Sequence, residues 1–289
     1  LPAMLGCMSD AIDPHLPPAA AAAPPLPAGF DALGLQPTLV RAAAAAGWAV
    51  PSTIQALALP AVLQGRDVFA QAPTGAGKTG AFLLPLLQRL LAAPGVLDEQ
   101  PRRLRALVLV PTRELAAQTA AAAHALAPQL KTVVAVGGLS INPQMMALRG
   151  GAHLVVATPG RLLDLTRQNA VRLADLDLLV LDEADRLLDA GFADETRRVL
   201  ALLPRQRQTL LFSATLTDDV RALAQRVQRD ALRLRVDEAM AAAQPTAPAA
   251  AESAESAAVA GAPPPNITQR AIEVDTPRRT ALLRFSPAP

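Results

Sequence analysis

The residues best equipped for chemistry are Ala72-Pro73-Thr74-Gly75-Ala76-Gly77-Lys78-Thr79. Gly75 and Gly77 let the backbone curl so that successive N–H groups face one anion, and a helix that follows adds its positive end. Lys78 brings a point charge for the β- and γ-phosphates of a nucleotide, and the Thr79 hydroxyl is a ligand for Mg²⁺. Lys78 and Lys131 are the only lysines in a chain whose other basic residues are arginines, so a lysine here stands against the compositional drift. The alternative is a glycine-rich turn that holds Lys-Thr by chance. The general phosphate-loop pattern also begins with glycine where this chain has Ala72.

A complementary acidic group, Asp182-Glu183-Ala184-Asp185, follows the apolar run that ends at Leu181. Carboxylates at the C-terminal end of a buried strand suit metal and water chemistry. Asp182 would hold Mg²⁺ through water, and Glu183 would polarise an attacking water. An ordinary acidic helix start is the alternative. Together the two groups describe a nucleoside triphosphatase. Upstream lies Gly47-Trp48-Ala49-Val50-Pro51-Ser52-Thr53-Ile54-Gln55. The Gln55 amide can donate and accept, which equips it to read an adenine edge. Phe30 offers an aromatic face for the same base. A surface glutamine and a core phenylalanine are the bland readings of these two.

The elements that must position these groups follow from the apolar pattern. Strands are expected at Asp67–Gln71, Ala106–Val110, Thr132–Val136, His153–Ala157, Leu178–Leu181, Thr209–Phe212 and Leu232–Val236. Helical stretches between them include Thr79–Leu91, Glu114–Leu126, Pro159–Arg167 and Asp218–Gln228. Near-continuous apolar strands alternating with helices predict an α/β fold, a mostly parallel sheet with helices on both faces. Residues 1–28, rich in Ala and Pro, read as a disordered lead-in. A domain over 29–236 is followed by an Ala/Pro/Ser/Glu-rich linker at 237–265, without helical period. Residues 266–289 read as the start of a second domain that is cut short, with a strand at Ile267–Val274 and a helix from Arg278.

Composition bounds the rest. The chain has 289 residues, 51% of them apolar but only 2% aromatic, so Leu, Val and Ile must carry the core. No long uncharged apolar run suits a membrane span, and no basic start precedes an apolar core as in a secretory signal. One cysteine, Cys7, leaves no internal disulfide, and three histidines make a zinc cage unexpected. A net charge of +2 is too small to argue for a nucleic-acid partner by itself. A soluble cytoplasmic monomer without a membrane partner is expected. Because the chain begins with Leu1, a fragment or a misplaced start is also expected.

With these residues in view, the chain resembles the DEAD-box ATP-dependent RNA helicases, of the bacterial kind with a short N-terminal extension. Gln55 and its flank resemble the adenine-sensing Q motif, with Phe30 at the isolated upstream aromatic position. Ala72–Thr79 resembles the family's variant phosphate loop, initial alanine included, and Asp182–Asp185 is the sequence that names the family. Pro111-Thr112-Arg113-Glu114-Leu115, Gly137-Gly138 and Thr158-Pro159-Gly160-Arg161 resemble its RNA-contacting motifs. Ser213-Ala214-Thr215, together with Asp185, resembles the motif that couples hydrolysis to strand separation.

The resemblance implies a RecA-like phosphate-loop domain that binds ATP, Mg²⁺ and RNA and remodels RNA duplexes when paired with a second such domain. Lys78, Asp182 and Glu183 are then the catalytic residues. Thr112, Gly138, Thr158 and Arg161 supply hydroxyls, backbone N–H groups and a guanidinium, which grip phosphate and ribose without reading bases. Such binding is sequence-tolerant and salt-sensitive, and helix capping is a plausible second role for the threonines. The family's second domain also supplies arginines to the transferring phosphoryl group, a contribution of roughly 10³–10⁵ in rate. No His-Arg-x-Gly-Arg-x-x-Arg run follows Pro265. The alternative for the chain as it stands is therefore an ATP- and weak RNA-binding module with little hydrolysis.

Overall fold

The structure, a computed structural model, describes residues 29–98 and 102–242. Seven strands carry the fold: β1 (Val68–Gln71), β2 (Ala106–Leu109), β3 (Thr132–Ala135), β4 (Leu154–Ala157), β5 (Leu178–Leu181), β6 (Gln208–Ser213) and β7 (Leu232–Arg235). The helices are α1 (Pro37–Ala45), α2 (Thr53–Leu63), α3 (Lys78–Ala92), α4 (Arg113–Leu126), α5 (Ile141–Leu148), α6 (Pro159–Arg167), α7 (Ala184–Leu187), α8 (Ala193–Leu202), α9 (Asp218–Val227) and α10 (Glu238–Ala242). All seven strands run parallel in the order β3-β4-β2-β5-β6-β1-β7. This is the α/β, RecA-like arrangement expected, with every strand parallel.

Side chains alternate across the strands and so feed two cores. Val68, Ala70, Ala106, Val108, Leu178, Val180, Leu210 and Phe212 face the core shared with α2, α3 and α4. Phe69, Leu107, Leu109, Val155, Leu179, Leu181 and Leu211 face the other, shared with α6 and α9. The few aromatics are concentrated: Phe82 and Phe212 lie 5.4 Å apart at a tilt of 57° inside the first core. That is the offset geometry that ring quadrupoles favour.

Register then fixes what shares the C-terminal edge. Ala135, Ala157, Leu109, Leu181, Leu211 and Phe69 form one transverse row. Just beyond it the ladder continues by single bonds: Thr158 N–H to Ala135 O, Val110 N–H to Ala157 O, Asp182 N–H to Leu109 O and Ala72 N–H to Ser213 O. A parallel sheet thus delivers the loops after β1, β2, β3, β4, β5 and β6 to one rim.

The boundaries differ from expectation in small, explicable ways. β1 starts at Val68, one residue later than expected; Asp67 still accepts from Leu232 N–H through its backbone oxygen, while its buried carboxylate takes the N–H groups of Thr209 and Arg229, both at 2.7 Å. The stretch expected to open a linker at 237 instead begins with α10, whose start is capped by Asp237 Oδ1 accepting from Met240 N–H. Glu, Ala and Met are strong helix formers, so a short turn is inexpensive there. The lead-in at 1–28, the rest of the linker and the second-domain start at 266–289 lie outside the described residues. Among the described residues no helix is long and apolar enough to cross a membrane.

Candidate functional site

The loop between β1 and α3 owes its shape to two glycines in left-handed backbone, Gly75 at φ +82° and Gly77 at φ +90°. Gly77 is also the residue that caps α3, so Lys78 and Thr79 open the helix and its free N–H groups face the loop. Pro73 and Ala76 close a turn through Ala76 N–H to Pro73 O, and Thr74 lies exposed at its tip. The Lys78 side chain is 8% exposed and donates to Ala72 O at 2.9 Å. It therefore arches back over the loop it would share with a triphosphate.

Two side chains from the start of α2 hold this loop from behind. Ser52 Oγ donates to Ala76 O at 2.8 Å, and Gln55 Nε2 donates to Gly77 O at 3.0 Å. Gln55 Oε1 meanwhile accepts from Ser52 N–H at 2.9 Å. A Cβ on Gly77 would sit 2.6 Å from Ser52 Oγ and 2.8 Å from Gln55 Nε2, so only glycine allows this bracing. Gln55 is buried and keeps one N–H and one lone pair beyond the loop.

Across β6, the Asp182 carboxylate is buried at 4% exposure and accepts from Glu183 N–H at 3.0 Å. Burial raises its pKa most, Lys78 and the Glu183 N–H bond lower it, the Glu183 and Asp185 charges raise it, and the balance lies at about 6. Lys78 and Asp182, far apart in sequence, thus act on one another. Glu183 adopts left-handed backbone at φ +50°, which costs a non-glycine residue about 1 kcal/mol. Its carboxylate pairs with Arg186 Nη1 at 2.8 Å.

Asp185 ties β5 to β6. Its Oδ2 accepts from Thr215 N–H at 2.9 Å and from Thr215 Oγ1 at 2.7 Å, while its own N–H donates to Ser213 Oγ at 3.3 Å. Ala214 lies between those two partners. Burial would raise the Asp185 pKa, but these bonds outweigh it and hold the carboxyl below its ordinary range.

The remaining motif residues form a second group on β3, β4 and β2, which neighbour one another. The Arg113 guanidinium lies over Gly138, where a Cβ would meet Nη1 at 2.8 Å; φ there is +75°. Gly137 N–H donates to Thr158 Oγ1 at 3.4 Å, and Arg161 Nη2 donates to Leu139 O at 2.7 Å. Arg161 Nε and Nη1 are buried without a partner among the described residues. Pro111 leads into Thr112, whose Oγ1 caps α4 by accepting from Leu115 N–H; Pro159 and Gly160 open α6. The rim therefore carries two clusters, one built for an anion with a cation at hand, the other with unsatisfied guanidinium donors.

Residues 52–223, more than half of the chain, match the DEAD/DEAH box helicase family. The chain belongs to that family.

Relatives extend the match. The chain is 45% identical to "Probable ATP-dependent RNA helicase ddx27" of Dictyostelium discoideum over 73% of its own length and 27% of that protein. It is 46% identical to "DEAD-box ATP-dependent RNA helicase 28" of Arabidopsis thaliana over 72% of its length and 26% of that protein. It is 45% identical to "Probable ATP-dependent RNA helicase DDX47" of Homo sapiens over 71% of its length and 43% of that protein. The chain thus spans well under half the length of the curated relatives it matches. These relatives are eukaryotic, which corrects the expected bacterial kind to the wider family.

In this DEAD-box chain one site expectation also needs correcting. Phe30 is 1% exposed and packed in the core with α1 and α2, so it has no open face for a base. The bland reading, a core phenylalanine, describes it. Trp48 lies near the nucleotide loop instead: a Cβ on Gly80 would meet its ring at 3.3 Å and the Gln55 amide at 2.5 Å. Sequence reasoning gave no role to Gln144, whose buried amide pairs with both Val136 N–H (3.1 Å) and Val136 O (3.0 Å) and so sets the Gly137-Gly138 turn. A polar residue facing the sheet from α5 was the available signal. Arg186 was missed too, although its spacing of three from Glu183 is the helical pairing distance.

Proposed function

We propose that this chain is the ATP-binding half of an ATP-dependent RNA helicase, using Mg²⁺ and gripping RNA by its backbone. The observation that carries the reading is the glycine-built loop that opens α3, with the buried Lys78 folded back on Ala72 O, on the same sheet rim as the buried Asp182. In this reading the loop N–H groups from Gly75 to Thr79 cradle the triphosphate, and Lys78 leaves Ala72 O for the β- and γ-phosphates. Gln55 keeps the loop in shape and turns its remaining donor and acceptor to adenine.

The residues fit Mg²⁺ rather than a protein-caged metal. Among the described residues no group of three His, Cys, Asp or Glu could hold an ion by itself. A hydroxyl from Thr79, the Asp182 carboxylate, phosphate oxygens and water make up the oxygen set that Mg²⁺ prefers. When bound, Mg²⁺ neutralises charge on the phosphates. Glu183 orients the attacking water, which requires its carboxylate to turn away from Arg186. The Asp185–Thr215 bonds carry a change at β5 to the loop after β6.

RNA lies across Thr112, Arg113, Gly137, Gly138, Thr158 and Arg161, where the buried, unpartnered Nε and Nη1 of Arg161 would reach a phosphate once its bond to Leu139 O is released. Hydrolysis and strand separation need a second domain to close over this rim. The test is RNA-stimulated ATP turnover by the full-length protein, second domain included, compared with Lys78→Ala and with DNA at equal salt. Turnover that rises with RNA and vanishes in the variant is expected. Absence of RNA-dependent turnover in the parent, with Lys78→Ala binding Mg-ATP as the parent does, would refute it.

A further inference from the structure

The Glu183 carboxylate, placed to polarise water, is already engaged. Its Oε2 accepts from Arg186 Nη1 at 2.8 Å, and no other group bonds that carboxylate among the described residues. Burial sets this pair apart from others of the same spacing. Arg167–Asp164, Arg197–Asp194 and Arg221–Asp218 also stand three residues apart on helices, but their acidic side chains are 50–99% exposed. Water replaces the arginine there at little cost. The Glu183 side chain is 17% exposed, whereas that of Arg186 is 56% exposed. Glu183 therefore depends on one partner, and that partner is reachable from outside.

The turn that carries Arg186 is also tied to the loop after β6. α7 spans only Ala184–Leu187, and Leu187 N–H bonds Glu183 O at 3.0 Å. Arg186 N–H donates to Asp185 Oδ1 at 3.1 Å, while the other oxygen of Asp185 takes both bonds from Thr215. A displacement of the Thr215 loop thus acts on Asp185 and, through it, on the backbone of Arg186. Glu183 itself stands in left-handed backbone at φ +50°, which persists only where the surroundings fix it. Release of its carboxylate is then a side-chain rotation rather than a movement of the main chain.

We infer that Arg186 is a positioning residue that holds Glu183 in a resting place and so restrains ATP hydrolysis until RNA and the second domain reset the loop after β6. The inference rests on the proposed function and adds to it a means of keeping turnover low without RNA. Arg186 acts only through Glu183, so its removal frees the carboxylate to orient water before closure. A pair that merely stapled α7 would leave turnover unchanged or lower it when broken.

The test uses the full-length protein, second domain included, with ATP turnover measured without RNA and at saturating RNA. Arg186→Ala should raise kcat without RNA about two- to fivefold, the range that a partly exposed ion pair supports. KM for Mg-ATP and kcat at saturating RNA should stay close to the parent values. Arg186→Lys keeps the charge and should fall back toward the parent. Arg186→Gln keeps part of the stem and should behave as Arg186→Ala does, so a folding defect in one leaves the other to decide. Arg197→Ala breaks an exposed pair of equal length on α8 and should leave turnover as it is. Without nucleotide, denaturation midpoints of Arg186→Ala, Glu183→Gln and the double variant should be non-additive. RNA-stimulated turnover in the parent with no rise in basal turnover in either uncharged variant, or additive midpoints, overturns the inference. Absence of RNA stimulation in the parent overturns the proposed function and takes the inference with it.

Discussion

Asp182 lets the cost of the candidate site be measured directly. Its carboxyl sits at about 6 rather than 3.8, so at pH 7 the folded protein carries an ionised group in a place that disfavours it. A tenfold change in proton affinity is worth about 1.4 kcal/mol, which makes the ionised form costly by about 3 kcal/mol. The attraction of Lys78 is already contained in that figure. Because the folded-state value is raised, the folded form holds its proton more tightly than the unfolded chain. Stability from this group is intact below about pH 4, declines as pH rises through about 6, and is flat above. Asp182→Asn keeps the oxygen that accepts from Glu183 N–H and removes the charge. At pH 7 the variant should be more stable by about 3 kcal/mol, roughly 6–12 °C in Tm for a domain of this size. It should also lose Mg-ATP binding, the usual exchange of function for stability at a strained site. Urea denaturation between about pH 4 and pH 8, with chelator and without nucleotide, provides the measurement. A variant no more stable than the parent at pH 7, or a gap of the same size at pH 4, would show that the charge is not the cause.

Three further outcomes are expected. Gln55→Ala removes the bonds to Ser52 N–H and Gly77 O and should cost about 1–3 kcal/mol in denaturation while weakening ATP binding in a nucleotide titration; unchanged stability would mean that the amide does not brace the loop. Gly138→Ala forces a Cβ into positive φ against Arg113, so RNA affinity should fall while nucleotide binding holds; equal loss of both would point to a general folding defect. Thr215→Val removes one of the bonds that keep the Asp185 carboxyl low. The lowered folded-state value gives stability above the ordinary carboxylate range that is lost as pH falls, and the variant should show less of that acid-side loss. A parallel pH profile in the two proteins would contradict the bond's role.

How much of this was legible in the sequence depends on how far apart the interacting residues stand in the chain. Gly75, Gly77 and Lys78 are neighbours, and backbone curl, helix start and ammonium follow from their types alone. The strands were equally readable, because apolar runs of that length between helical stretches have few other solutions. Strand ends were less so: at the start of β1 the Asp67 carboxylate bonds Thr209 and Arg229, which no local pattern announces.

The sequence by itself therefore determined the alternation of strands and helices, the anion-binding loop and the identities of the charged groups. Only the tertiary structure decided who meets whom. Placing β6 between β1 and β5 sets Asp185 against Thr215, and ordering β3, β4 and β2 side by side lays Arg113 over Gly138. Core packing likewise withdrew Phe30 from the surface and left Trp48 beside Gln55. The physical reason is that secondary structure is selected by near neighbours, whereas a site on a parallel sheet is assembled from loops joined only through strand order and register.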